Sequence, residues 1–258
     1  MYKPGAAKLK KYLAVSALLA FSTALSAPAL AQEEGSEEGG FGSLSGKLKL
    51  ASNYMYRGLS VSDDGPQLQG SFTWAHDSGF YAGVWASNTS AGGEGNSVEI
   101  DPFVGFAGTV GDSGVGYDIG FWYYSFPGSV ADLDYWEIYG ILSYTLGEAD
   151  LGASVWYAKN YFGDDFFPDT PSYALQTTAS YPLPIGEGVS VSGKLGRQIF
   201  DESAALTAQD YTYYDIGVSK AWEAVTLDLR WHDADGVKPD LAAPENVGSL
   251  VASIVFSF

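Results

Sequence analysis

Ser249-Leu250-Val251-Ala252-Ser253-Ile254-Val255-Phe256-Ser257-Phe258 closes the chain and alternates without a break: Leu250, Ala252, Ile254, Phe256 and Phe258 share one face, and Ser249, Val251, Ser253, Val255 and Ser257 the other. A period of two is the mark of a half-buried strand. Alone, this strand suits the edge of a soluble sandwich or the wall of a membrane barrel. The rest of the chain decides between them.

The opposite end carries only positive charges (Lys3, Lys8, Lys10, Lys11) ahead of an apolar run from Tyr12 to Leu25, then Ala29-Leu30-Ala31 before Gln32. This pattern predicts a secretory signal peptide over residues 1–31, the run being short for a membrane helix. The alternative is an uncleaved anchor. An acidic, glycine-rich segment follows over 32–43, expected to be disordered in the periplasm, and the folded region is expected over 44–258.

Removing the four signal lysines leaves nine basic residues against 31 acidic ones, a charge of −22 over 227 residues. Nucleic acid is excluded as a partner, because phosphate binding needs clustered Lys and Arg. There is no cysteine, so neither a disulfide framework nor a thiolate metal site is available. After Leu25 no apolar run reaches the roughly 18 residues of a membrane helix.

Twelve strand-like segments fill the remainder: 44–59, 66–77, 79–89, 96–110, 115–127, 134–147, 149–160, 172–182, 188–200, 210–222, 224–233 and 248–258. Short connections (77–79, 111–114, 147–148, 184–187, 223) alternate with long polar ones (60–65, 90–95, 128–133, 161–171, 201–209, 234–247). Short periplasmic turns and long outer loops have this rhythm in an even-numbered transmembrane β-barrel. A soluble sandwich has no reason to keep it. The expected fold is all-β, an antiparallel up-and-down barrel of twelve strands.

A charge at mid-membrane costs about 2 to 4 kcal/mol, so one phase of each strand must be uncharged. Sets such as Leu48, Leu50, Tyr54; Leu68, Phe72, Trp74; Ile119, Phe121, Tyr123; and Leu227, Leu229, Trp231 meet that demand. The other phase holds Lys47, Lys49, Arg57, Glu99, Asp101, Asp118, Glu137, Asp150, Lys194, Asp215, Asp228 and Arg230. These are the expected pore-lining charges. Lys47, Lys49 and Arg57 are expected to face Asp228 and Arg230, since first and last strands close a barrel; such a cluster sets a constriction or only stiffens the wall. Two strands fit badly: Pro102 interrupts the fourth, where a bulge is expected, and 79–89 has aromatics in both phases.

The outer loops gather Asp63, Asp64, Asp164, Asp165, Asp169, Asp233 and Asp235, with Glu94, Asp132, Asp134, Asp201, Glu202, Asp210, Asp240 and Glu245, against Lys238. An acidic mouth predicts a mild preference for cations; the alternatives are plain solvation or bridging of lipopolysaccharide through divalent ions. Asp164-Asp165-x-x-x-Asp169 lacks the full spacing of a calcium loop, and no metal or cofactor site is expected. The two histidines, His76 and His232, fall at opposite membrane faces. No nucleophile motif accompanies His232, although Asp233 or Asp228 is placed to orient its ring, and the chain is not expected to be an enzyme.

Ser52-Asn53-Tyr54-Met55-Tyr56-Arg57-Gly58-Leu59-Ser60, then Asp63-Asp64-Gly65-Pro66-Gln67-Leu68-Gln69-Gly70 and His76-Asp77-Ser78-Gly79-Phe80-Tyr81-Ala82-Gly83-Val84-Trp85-Ala86-Ser87-Asn88, resemble the TorF-type porins of Gram-negative bacteria. Glu99-Ile100-Asp101 and Tyr117 to Gly128 add to the resemblance, which runs from about Gly46 onward; Tyr56 and Pro102 depart from the family pattern. The terminal strand likewise resembles the recognition strand of outer-membrane proteins, which implies handling by the barrel-assembly machinery through Phe258. The resemblance implies a barrel in the outer membrane, in contact with its lipid and lipopolysaccharide, passing small solutes or cations, with no catalytic site to carry over. The alternative is a structural or adhesive barrel whose lumen is plugged by Trp85, Trp122, Trp156 and Tyr124. The oligomeric state and the solute are left open.

Overall fold

Alternating apolar and polar residues become a closed wall once every strand finds two neighbours. The computed structural model describes residues 41–167, 169–201, 210–238 and 247–258. The expected signal peptide, residues 32–40, and Glu202, Asp240 and Glu245 lie outside these residues. The strands are β1 Ser43–Ala51, β2 Met55–Tyr56, β3 Leu59–Ser60, β4 Gln67–Ala75, β5 Phe80–Asn88, β6 Val98–Thr109, β7 Gly116–Tyr124, β8 Tyr135–Leu146, β9 Ala149–Ala158, β10 Ser172–Pro182, β11 Val189–Phe200, β12 Tyr211–Trp222, β13 Val225–Asp235 and β14 Ser249–Ser257. All but β2 and β3 form one closed antiparallel barrel of twelve strands, with β1 between β4 and β14. Ser43↔Ala75 to Ala51↔Gln67 set one seam, and Lys47↔Ser257 to Ala51↔Ser253 the other. Closure leaves no edge strand, which a lipid environment demands.

The outward phase is apolar along the strands. Leu142 on β8 and Ile216 on β12 are 54% and 59% exposed, in the middle of their strands, as side chains that face lipid must be. Aromatic rings mark both rims. Phe121, Trp136, Tyr157 and Tyr173 run ring to ring across β7 to β10 near the long loops, while Phe72 with Phe258 and Trp74 with Phe80 do so near the short turns. Girdles of this kind flank the hydrocarbon band of outer-membrane barrels. Arg197, at the loop rim, leans onto Thr212 Oγ1 at 3.0 Å and Asp210 at 3.5 Å, away from the band.

Three expectations about strands need correcting or settling. The first segment, 44–59, is not one strand: β1 stops at Ala51, and the chain leaves the wall. Arg57 (φ 49°) and Gly58 (φ 83°) take left-handed conformations between the paired residues Tyr56 and Leu59, making the two-residue turn that suits a hairpin's twist. Tyr54, expected to face lipid, is 3% exposed on the inside instead. Second, Pro102 causes no bulge. Phe103↔Trp122 and the bond from Ile100 N to Ser125 O keep one register with β7, and the ladder skips only the position where Pro102 has no N–H to give. Third, the phase of β5 is settled by Tyr81, fully buried and inward, while Phe80 and Val84 face out.

Candidate functional site

Inside the barrel, the residues between β1 and β4 matter most. Ser52 to Pro66 form an inward loop whose two legs are held by Asn53: its Oδ1 accepts from Ser60 Oγ at 2.8 Å and Ser62 Oγ at 3.0 Å, and its Nδ2 donates to Asp64 at 2.6 Å. The β2–β3 hairpin lies against the loop-side ends of β12 and β13, where a Cβ added at Gly58 would come within 2.8 Å of Asp233 O and Ala234 Cβ. Leu59 also bridges to Val247 before β14.

At the hairpin tip, Arg57 Nη2 donates to both Glu137 oxygens at 2.8 and 2.7 Å, and Nη1 donates to Gln198 Oε1 at 3.0 Å. Glu137, on β8, also accepts from Tyr124 OH at 2.8 Å. The guanidinium carbon lies 4.8 Å from the Tyr56 ring and 5.5 Å from that of Tyr161. Burial opposes the Arg57 charge, but Glu137 beside it holds the guanidinium above its ordinary range. Burial also pushes the Tyr161 phenol up to about 12, against the pull of Arg57. One buried, charge-assisted clasp therefore ties a loop to β8 and β11.

Around the clasp the outer half of the lumen is packed with rings. Tyr124 and Tyr135 stack at 4.3 Å, Tyr139 and Trp156 at 4.3 Å, and Phe103 and Trp122 at 4.5 Å. Small inward residues make room for them: a Cβ on Gly196 would collide with the ring of Tyr213. A cavity about the size of one water is left among Tyr54, Tyr56, Val61, Ala91, Glu99, Phe126, Tyr135 and Phe162.

The charges on the wall separate by sign. Glu99 and Asp101 on β6, Asp118 on β7 and Glu137 on β8 are all at most 4% exposed. Asp101 accepts from Trp122 Nε1 at 2.9 Å, and Asp118 from Tyr81 OH at 2.5 Å. Among the described residues no ion pair reaches Glu99, Asp101 or Asp118, and only Glu137 has a cation. Across the lumen, Arg230 donates to Asp215 at 2.6 Å, Asp228 at 3.0 Å and Ser192 Oγ at 2.7 Å, with Lys194 3.8 Å from Asp215. Lys49 lies within electrostatic reach of Asp228 and Arg230, and Lys47 is half-buried one turn of the pleat away.

The structure thus brings Lys49, Lys194, Asp215, Asp228 and Arg230 together on β11, β12, β13 and β1, and Glu99, Asp101, Asp118 and Glu137 on the other wall. It does not join Arg57 to Asp228 and Arg230, as expected, because Arg57 is on the inward loop and not on β1. Asp150 stays near the short-turn rim, where it accepts from Thr145 Oγ1 at 2.8 Å. The acids Asp63, Asp64, Asp164, Asp165, Asp169 and Asp235 are exposed at the long-loop end, with Asp233 half-buried and accepting from Tyr214 OH at 3.0 Å. Asp165 is turned to the Asp132 N–H at 2.8 Å, and Asp164 accepts from Asn160 at 2.7 Å. His232 faces inward with Nδ1 3.9 Å from Asp215, not from Asp233, and no hydrogen bond among the described residues joins it to a serine. Gln198, Tyr161 and Tyr213 escaped the sequence reading; an amide on the inward phase of β11 was the one signal available.

A closed twelve-stranded barrel with an apolar belt, two aromatic girdles, charged interior walls and alternating short turns and long loops is an outer-membrane barrel of porin architecture. The chain belongs to the family described as bacterial protein of unknown function (Gcw_chp), whose model matches residues 35–257. Among solved structures, the KdgM porin superposes with a TM-score of 0.56 at 9% identity, over 83% of this chain and 99% of that one. The NanC porin gives 0.55 at 12% identity, over 84% and 99%. A KdgM porin in complex with disordered oligogalacturonate gives 0.54 at 8% identity, over 83% and 98%. At such identities the likeness is one of fold. No curated protein matches the sequence.

Proposed function

We propose that this protein is an outer-membrane channel for small cationic solutes, akin to the TorF-type porins its sequence resembles, with the inward loop closing the outer half of its lumen. The observation that carries this reading is the β6–β8 wall, where Glu99, Asp101 and Asp118 are buried without a cation beside them. Burying carboxyl groups with no cation beside them is unfavourable whether they stay charged or take up a proton. A barrel serving only as a scaffold gains nothing from that expense, whereas a conduit for cations uses it. The acidic mouth adds to the effect by raising the local cation concentration. KdgM has been captured with an oligogalacturonate, a polyanion; a wall of unpaired carboxylates disfavours such a passenger here.

A second reading has its own support. Aromatic packing around Tyr124, Tyr135, Tyr139 and Trp156 is what a permanently plugged structural barrel would have. Reversal potentials in planar bilayers separate the two. The channel reading expects cation preference at low salt that fades as ionic strength rises toward 1 M; anion preference overturns it, and a barrel silent even after loop removal favours the plug. Assembly through the terminal strand and contact of the acidic loops with lipopolysaccharide through divalent ions belong to this reading as well.

A further inference from the structure

Arg57 is a side chain of the inward loop, yet apart from its neighbour Tyr56 everything that holds it belongs to the rest of the barrel. Glu137 of β8 presents both oxygens to Nη2, Gln198 of β11 presents its Oε1 to Nη1, and Tyr161 offers a ring face at 5.5 Å. Take the Arg57 side chain away, and a carboxylate, an amide oxygen and an aromatic face stay behind, arranged for a planar cation with several N–H donors. An ammonium is a point charge and would use less of this arrangement.

A second observation extends the site beyond what Arg57 fills. Tyr213 OH and Gln198 Nε2 lie beside it with no hydrogen-bond partner, and the Tyr161 and Tyr211 hydroxyls have only each other and Arg57 within loose reach, all on side chains at most 2% exposed. Buried polar groups are normally satisfied, and a cluster of under-satisfied ones beside the guanidinium offers partners to a polar ligand. Hydroxyls can accept as well as donate, so a solute larger than the arginine head would engage them.

We infer that this cage is the solute site of the channel, that Arg57 is its resident stand-in, and that the solute it takes carries a guanidinium or amidinium group. The inference rests on the channel reading for its physiological role, but binding can be measured without it. An arginine tethered by a short loop competes at high effective concentration, so the wild-type protein should bind such solutes weakly. Displacing Arg57 would then both admit the solute and free the loop.

The test is calorimetric titration of refolded protein in detergent with methylguanidinium, methylammonium and tetramethylammonium. Arg57→Ala should bind methylguanidinium about tenfold or more tightly than wild type, and more tightly than the two ammonium ions. Glu137→Gln in that background should weaken binding about a hundredfold. Where Arg57→Ala does not refold, Arg57→Lys, whose ammonium is a poorer occupant, should show the same gain to a smaller extent. No gain in either variant, equal affinity for methylammonium, or binding indifferent to Glu137→Gln overturns the cage. Binding without bilayer current would leave the cage standing and sink the channel; current that methylguanidinium neither binds to nor blocks would do the reverse.

Discussion

Glu137 receives two hydrogen bonds from one Arg57 nitrogen and another from Tyr124 while remaining fully buried. A pair so placed is worth little against an apolar replacement of the same shape, but removing one member leaves the other uncompensated in the interior. Glu137→Ala is therefore expected to destabilise the barrel by about 3 to 5 kcal/mol in urea titrations. The double variant with Arg57→Ala should lose clearly less than the two single losses added together. Additive losses would mean that the residues act independently and that the clasp is incidental. Tyr161 and Gln198 complete the arrangement with a ring face and an amide oxygen, which help the charge tolerate its burial.

At the scale of strands and loops, alternation decides what faces lipid. Ile216 lies mid-strand on β12 with its side chain 59% exposed. Ile216→Arg should cost about 2 to 4 kcal/mol in a lipid bilayer; a loss under 1 kcal/mol would place β12 away from the bilayer midplane. The same period of two made the strands legible in the sequence, because a wall between lipid and lumen enforces it residue by residue. Boundaries from β4 to β14 fall within three residues of those read from the pattern. The inward loop was hidden for the same reason. Tyr54 and Tyr56 continue the even-numbered apolar phase of Leu48 and Leu50, so the pattern ran on through Leu59. Arg57-Gly58 was the available break, since a left-handed pair ends a strand and starts a hairpin. The inward charges were legible one by one, but their partners were not, because which carboxylate meets which cation depends on where a loop lands across the lumen.

For the molecule as a whole, one wall is acidic, the opposite wall mixes Lys49, Lys194 and Arg230 with Asp215 and Asp228, and the mouth is acidic. Acidic side chains are thus unevenly divided around the lumen, and the inward loop spans it at the outer end. Cutting the loop should leave the barrel closed, though less stable for the loss of Arg57 beside Glu137, because β1 keeps its pairing with both β4 and β14 without help from β2 and β3. The most direct measurement is single-channel current across a planar bilayer, comparing the wild-type barrel with one whose residues 54–61 are replaced by a glycine-serine linker. The account predicts small or rare steps from the wild type and larger, cation-preferring steps from the variant at low salt. Equal silence from both, with the variant folded, would contradict it.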